Sequence, residues 1–136
     1  MSETGLADLH RHLDGSLRWS TLEELAKEYG VRRLPPRRHL RFRRGMGLAD
    51  ALAMFRHTLS VLQHPAAVKR VASEICEDAA EDGVTTLEIR FAPQLHLGAE
   101  VEEIVDAALE GIDGRAGLIL CGLYGVVVRV GPSPRS

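Results

Sequence analysis

The sequence predicts an α/β protein whose strands run parallel in one sheet, and three observations carry that prediction. Leu87, Ile89 and Phe91 alternate with Glu88 and Arg90, which is the two-residue period of a half-buried strand. Val68, Val71, Ala72, Ile75, Cys76 and Ala79 recur at helical spacing just before it. The two patterns alternate along the chain, and strands separated by helices pack most simply as parallel strands joined by right-handed crossovers.

The elements follow in order. Gly5 to Leu9 leads into His10-Arg11-His12 and reads as a first strand ending at a loop. Ser20-Thr21-Leu22-Glu23 has the form of a capping box, and Leu22, Leu25, Ala26 and Tyr29 continue a helix that Gly30 ends. Val31 to Gly47, with Pro35, Pro36 and many arginines, reads as a loop. Leu48, Leu52, Phe55, Leu59 and Leu62 form one stripe of a helix that stops before Pro65. Pro65 opens the next helix, where its missing N–H costs nothing, and Gly83 closes it. Val84 to Ala92 is a strand, and Val101, Ile104, Val105, Ala108, Leu109 and Ile112 mark a helix ended by Gly114. Gly117 to Val130 is apolar enough for one or two further strands, and Gly131 to Ser136 is expected to be a disordered tail.

Composition narrows the function classes. The chain has 136 residues, 45% hydrophobic, with a formal net charge of −2, so one domain with a buried core is expected and no global drive toward nucleic acid exists. Cys76 and Cys121 each lie in an apolar run and read as buried free thiols, as in a reducing cytosol. The N-terminus lacks the pattern of a secretion signal, and no run approaches ~18 uncharged apolar residues, so a cytoplasmic protein with no membrane span is expected. Arg32, Arg33, Arg37, Arg38, Arg41, Arg43 and Arg44 crowd one loop. They are compatible with a phosphate or nucleic-acid contact, but acids elsewhere compensate them and no nucleic-acid fold is visible, so a solvated loop is expected and no nucleic-acid partner.

His10 and His12 are the residues that point to chemistry. Alternate side chains of a strand share a face, so both imidazoles can converge on one ion at Zn–N distances of about 2.0–2.1 Å. Taken alone, such a pair is more often structural or solvent-facing. Leu9-His10-Arg11-His12-Leu13-Asp14-Gly15-Ser16-Leu17, however, closely resembles the segment that opens the adenosine deaminase family of metal-dependent aminohydrolases. Glu88-Ile89-Arg90-Phe91-Ala92-Pro93-Gln94-Leu95-His96 resembles the family's second-strand segment, preceded by the family-like run Asp78 to Val84. Leu118-Ile119-Leu120-Cys121 is a weaker match to its third strand.

The resemblance implies a partial TIM (β/α)8 barrel, about the first three strands with their helices, with its site at the C-terminal ends of the strands. It implies zinc-dependent hydrolytic deamination of a purine nucleoside, adenosine to inosine plus ammonia. His10 and His12 would supply two ligands of one divalent zinc ion. Asp14 corresponds to a position that hydrogen-bonds the ribose end of the nucleoside, although Asp14-Gly15 is also an ordinary turn dipeptide. Leu48, Leu52 and Phe55 match a helix that walls the nucleoside pocket, although a stripe at helical spacing is more often plain core. The family carries a larger aromatic side chain where Ala51 stands, which implies a roomier pocket.

The match is expected to stop near Cys121. Residues 1–121 read as the N-terminal part of the barrel and 122–136 as a divergent, disordered tail. The family's third metal histidine, proton-donating glutamate, later histidine and metal aspartate have no positions here, so no catalytic residue is expected and the zinc site is incomplete. His96 is the one remaining histidine on the same rim; His39, His57 and His64 are expected to face solvent. Three parallel strands would leave an open sheet edge and an uncovered inner face, for which a partner chain is expected. Two alternatives stay open: a non-catalytic relic or partner-requiring fragment, and a deaminase of adenine or another purine within the same family.

Overall fold

The computed structural model describes residues 6–32, 34–37, 45–112, 116–122 and 125–130. In chain order these form β1 (Leu6–His12), α1 (Trp19–Glu28), α2 (Leu48–Ser60), α3 (Pro65–Glu81), β2 (Val84–Phe91), α4 (Val101–Ile112), β3 (Ala116–Gly122) and β4 (Gly125–Val130). Short 3-10 turns follow the first two strands, over Leu13–Gly15 and Pro93–Leu95.

α3 is the hub of the core. Pro65 stands at its first position, as its fixed φ favours, and Ala67, Val68, Val71, Ala72, Ile75, Cys76 and Ala79 form its buried face. Leu87, Ile89 and Phe91 of β2 join the same cluster, as do Leu22, Leu25 and Ala26 of α1 and Ile104, Ala107, Ala108 and Ile112 of α4. α4 comes unusually close to α3: a Cβ on Gly111 would lie 2.2 Å from the Lys69 carbonyl oxygen. Cys76 is buried, as expected, while the Cys121 side chain lies outside the described residues.

The capping box is not used. α1 begins at Trp19 with Arg18 in the cap position and no side-chain cap bond, which puts Ser20 inside the helix. The reason is tertiary: Arg18 Nη2 lies 2.7 Å from Asp78 Oδ1 and 3.0 Å from Glu77 Oε2, anchoring the helix start to the end of α3. Thr21 Oγ1 donates to Glu74 Oε1 at 2.5 Å along the same seam.

The sheet order is β1-β2-β4-β3. β1 and β2 pair in parallel, from Leu6 opposite Val84 to His12 opposite Arg90. β4 pairs antiparallel with β2 on one side and with β3 on the other. β1, β2 and β3 therefore run in one direction, as successive barrel strands do, but β4 lies between the second and the third. The expectation of an all-parallel sheet is corrected here. β3 and β4 are separated in sequence by Leu123 and Tyr124 alone, and a parallel return needs a crossover of about a dozen residues or more, so only an antiparallel partner is reachable. β4 also occupies 125–130, part of the stretch expected to be a disordered tail: Val126, Val127 and Val128 favour extended backbone, and two ladders satisfy their peptide groups. Residues 123–124 and 131–136 lie outside the described residues.

Candidate functional site

His12 closes β1 and Phe91 closes β2, so the two parallel strands end on one rim, and each is followed by a 3-10 turn. Asp14 lies in the first turn; His96 follows the second. β1 is not regular on its way to this rim. Between Asp8 and Arg11 it holds one residue more than β2 does between Leu87 and Ile89, so a bulge falls in the stretch that contains His10. Bulges re-aim side chains and are frequent beside active sites. The His10 side chain itself lies outside the described residues.

The His12 imidazole is half-buried beneath α2. Its ring centroid is 5.7 Å from that of Phe55, with the planes tilted by 57°. A methyl group on Gly15 would come within 3.1 Å of Phe55 Cε1, which shows how closely the ring covers the turn. Ser16 donates its hydroxyl hydrogen to the His12 carbonyl at 2.6 Å and ties the turn to the strand end.

Burial pushes the Asp14 carboxyl above its ordinary value; a hydrogen bond from its own backbone N–H and the nearby charges of His12 and His96 oppose the shift. Asp14 thus sits between the two strand ends, electrically coupled to a histidine on each. It also fulfils the turn role that the Asp-Gly dipeptide favours.

His96 is 2% exposed, and its Nδ1 lies 2.5 Å from the Leu62 carbonyl oxygen. A carbonyl only accepts, so Nδ1 carries the hydrogen. Burial holds the imidazole below its ordinary value, against the raising effects of the Leu62 bond and of Asp14. Phe91 meets the ring edge-on at 6.0 Å. A catalytic zinc takes three protein ligands, and among the described residues no group of three histidine, cysteine, aspartate or glutamate side chains is placed to hold an ion. Among the described residues, which leave out the His10 side chain, His96 is thus not brought into a three-donor cluster with His12. The His12 imidazole at the β1 end is a donor of the kind that a borderline-soft ion takes.

Leu48 and Leu52 are 76% and 51% exposed, so the plain-core reading of the α2 stripe fails at both. Met54 is the buried residue of α2, on the opposite face, and Phe55 lies between the two environments. Of the histidines expected to face solvent, His64 is exposed and stacks on Tyr29 at 4.5 Å, His57 is half-buried, and His39 lies outside the described residues. So do Arg33 and 38–44, the greater part of the arginine-rich loop. Sequence reading passed over Gln63, whose carboxamide bridges α2 to the loop after β2; a lone glutamine between helices carries no pattern that would have singled it out.

Parallel strands backed by helices, with histidines and a carboxylate at their C-terminal ends, are an arrangement of α/β folds, the α/β barrels among them, which place their chemistry on that rim. Within that class the chain belongs to the adenosine deaminase family, whose family model matches residues 5–130. A Dictyostelium discoideum protein described as a probable adenosine deaminase is 44% identical over 86% of this chain, and adenosine deaminase of Mycolicibacterium vanbaalenii is 42% identical over 83%. The crystal structure of Arabidopsis N6-mAMP deaminase superposes with a TM-score of 0.66 at 28% identity, covering 81% of this chain and 34% of that one. The chain spans 17% of the Dictyostelium relative and 36% of the mycobacterial one.

Proposed function

We propose that this chain contributes the β1 rim and the α2 wall of a zinc-dependent hydrolytic deaminase that converts adenosine to inosine and ammonia. The observation that carries the reading is the placement of His12: last residue of a strand, on the rim of a barrel-type sheet, half-buried under Phe55 and flanked by Asp14. Kinship with proteins described as adenosine deaminases supports the substrate class.

In this reading His10 and His12 hold the ion through two donors. When bound, zinc supplies Lewis acidity that makes a hydrolytic water reactive near neutral pH. Asp14, once ionised, accepts a hydrogen bond from the ribose end of the nucleoside. Leu48, Leu52 and Phe55 offer an apolar wall to the purine, and exposure on α2 is what a wall awaiting a ligand requires. The remaining donors and the proton donor belong to the part of the barrel that this chain does not span. That part would also cover the edge of β1, where Leu6 and Leu9 are 63% and 49% exposed. We place the enzyme in the cytoplasm, with a purine nucleoside as its small-molecule partner and 1–121 as the barrel segment.

In a polypeptide that continues this segment with the rest of the barrel, His12→Ala is expected to abolish adenosine-to-inosine turnover and to weaken zinc binding at least about tenfold. Unchanged turnover in that variant overturns the reading. A second reading, deamination of an N6-substituted purine nucleotide, is favoured by the likeness to Arabidopsis N6-mAMP deaminase. Preference for N6-methyl-AMP over adenosine in the same assay would select it.

A further inference from the structure

Within α2 itself Met54 is the buried residue, against seven on α3, while Val61 and Leu62, directly after its last turn, are fully buried in the core. The position of α2 over the β1 end must therefore be set largely at its ends. At the C-terminal end a dense set of hydrogen bonds meets. The Gln63 carboxamide donates from Nε2 to the carbonyls of Leu59, at 2.8 Å, and Leu95, at 3.2 Å. Its Oε1 accepts from the Leu97 N–H at 2.7 Å. The Gly98 N–H donates to the Gln63 backbone carbonyl at 2.8 Å, and His96 Nδ1–H to the Leu62 carbonyl beside it. Leu59 belongs to α2; Leu95 to Gly98 belong to the loop that follows β2. Gly98 is there for close approach, since a Cβ would lie 2.1 Å from the Gln63 carbonyl oxygen.

We infer that Gln63 is a positioning residue that fastens the last turn of α2 to the β2–α4 loop and thereby sets how closely Phe55 covers His12. The carboxamide is suited to this because it offers donors and an acceptor on one planar group, and here it spends both donors on carbonyls and its oxygen on an amide. Leu59 is one helical turn beyond Phe55, so a bond to the Leu59 carbonyl fixes the same stretch of helix that carries the ring. The role in substrate binding rests on the reading of α2 as the purine-facing wall; the mechanical link does not.

The test compares the whole chain with Gln63→Ala and Gln63→Met, the latter keeping side-chain length while removing every hydrogen bond. With no nucleoside present, both variants are expected to speed amide exchange over residues 52–60 at least about tenfold and to weaken the His12–Phe55 nuclear Overhauser effect. Exchange in α3 and α4 stays as in the parent. Unchanged α2 exchange and an intact His12–Phe55 effect in both variants overturn the inference, and so does a Met variant that behaves as the parent, because packing alone would then hold the helix. If the Ala variant fails to fold, the Met variant decides. Adding adenosine to the parent chain then tests the other reading separately: resonances of His12 and Phe55 that do not move count against a purine-facing wall, and leave the nucleoside-free comparison as it stands.

Discussion

A buried imidazole that must stay neutral makes stability depend on pH. His96 is held below its ordinary value by burial, so the unfolded chain binds a proton below about pH 6.5 that the folded chain refuses. The contribution of His96 is therefore complete above that pH and is lost as pH falls through the native value. The denaturant midpoint of the chain should drop between pH 7 and pH 5, and His96→Gln, which keeps a donor for the Leu62 carbonyl but cannot titrate, should flatten that drop. One proton can account for no more than about 1.4 kcal/mol per pH unit. Identical pH profiles for parent and variant would show that His96 is not the group responsible. His96 was legible in the sequence as a rim residue and not as a buried one, since the groups that meet it there, the Leu62 carbonyl and the Phe91 ring, come together only in the fold. Asp14 was legible as a turn residue at the end of β1, because the Asp-Gly dipeptide is a local pattern.

At the scale of elements, apolar periodicity was a sound guide wherever the element is packed on one side. It located α3 and the alternation Leu87, Ile89, Phe91 without correction. It misread α2, where Leu48 and Leu52 lie outside the core, because periodicity reports that a face is apolar and not what covers it. It also gave no sign of how close α4 comes to α3. Gly111→Ala should force the helices apart at the Lys69 carbonyl and cost about 1–3 kcal/mol, measured as a shift in the denaturant midpoint with unchanged slope. A midpoint equal to that of the parent would mean that the backbone yields there without strain. The start of α1 was misplaced for a related reason: an ion pair from Arg18 to α3 outweighs a local cap at Ser20.

For the whole molecule, the place of β4 is the feature with the widest consequence. In a barrel of eight parallel strands the third strand lies beside the second; here β4 takes that edge of β2 and carries β3 beyond it. β4 has a ladder on each side, so Val128→Pro should weaken both: the lost N–H removes a donor to one neighbour, and the fixed φ and ring distort the strand for the other. Amide protection should fall over β3 and the β4-facing groups of β2, with about 1–3 kcal/mol lost, while protection in α3 and α4 persists. Protection retained in β3 would show that the strand order described here is not the one that stabilises the sheet.

The sequence by itself determined the family, the strand–helix order, the α3 core face and the location of His12 and Asp14 at a strand end, because each of these is written in local residue patterns. Tertiary structure alone decided that β4 separates β3 from β2, that α2 leaves Leu48 and Leu52 exposed, and that Gln63 joins α2 to the second rim loop. These depend on which backbone groups and faces remain unsatisfied once the core has formed, and that is a property of the packed chain rather than of any one segment of it.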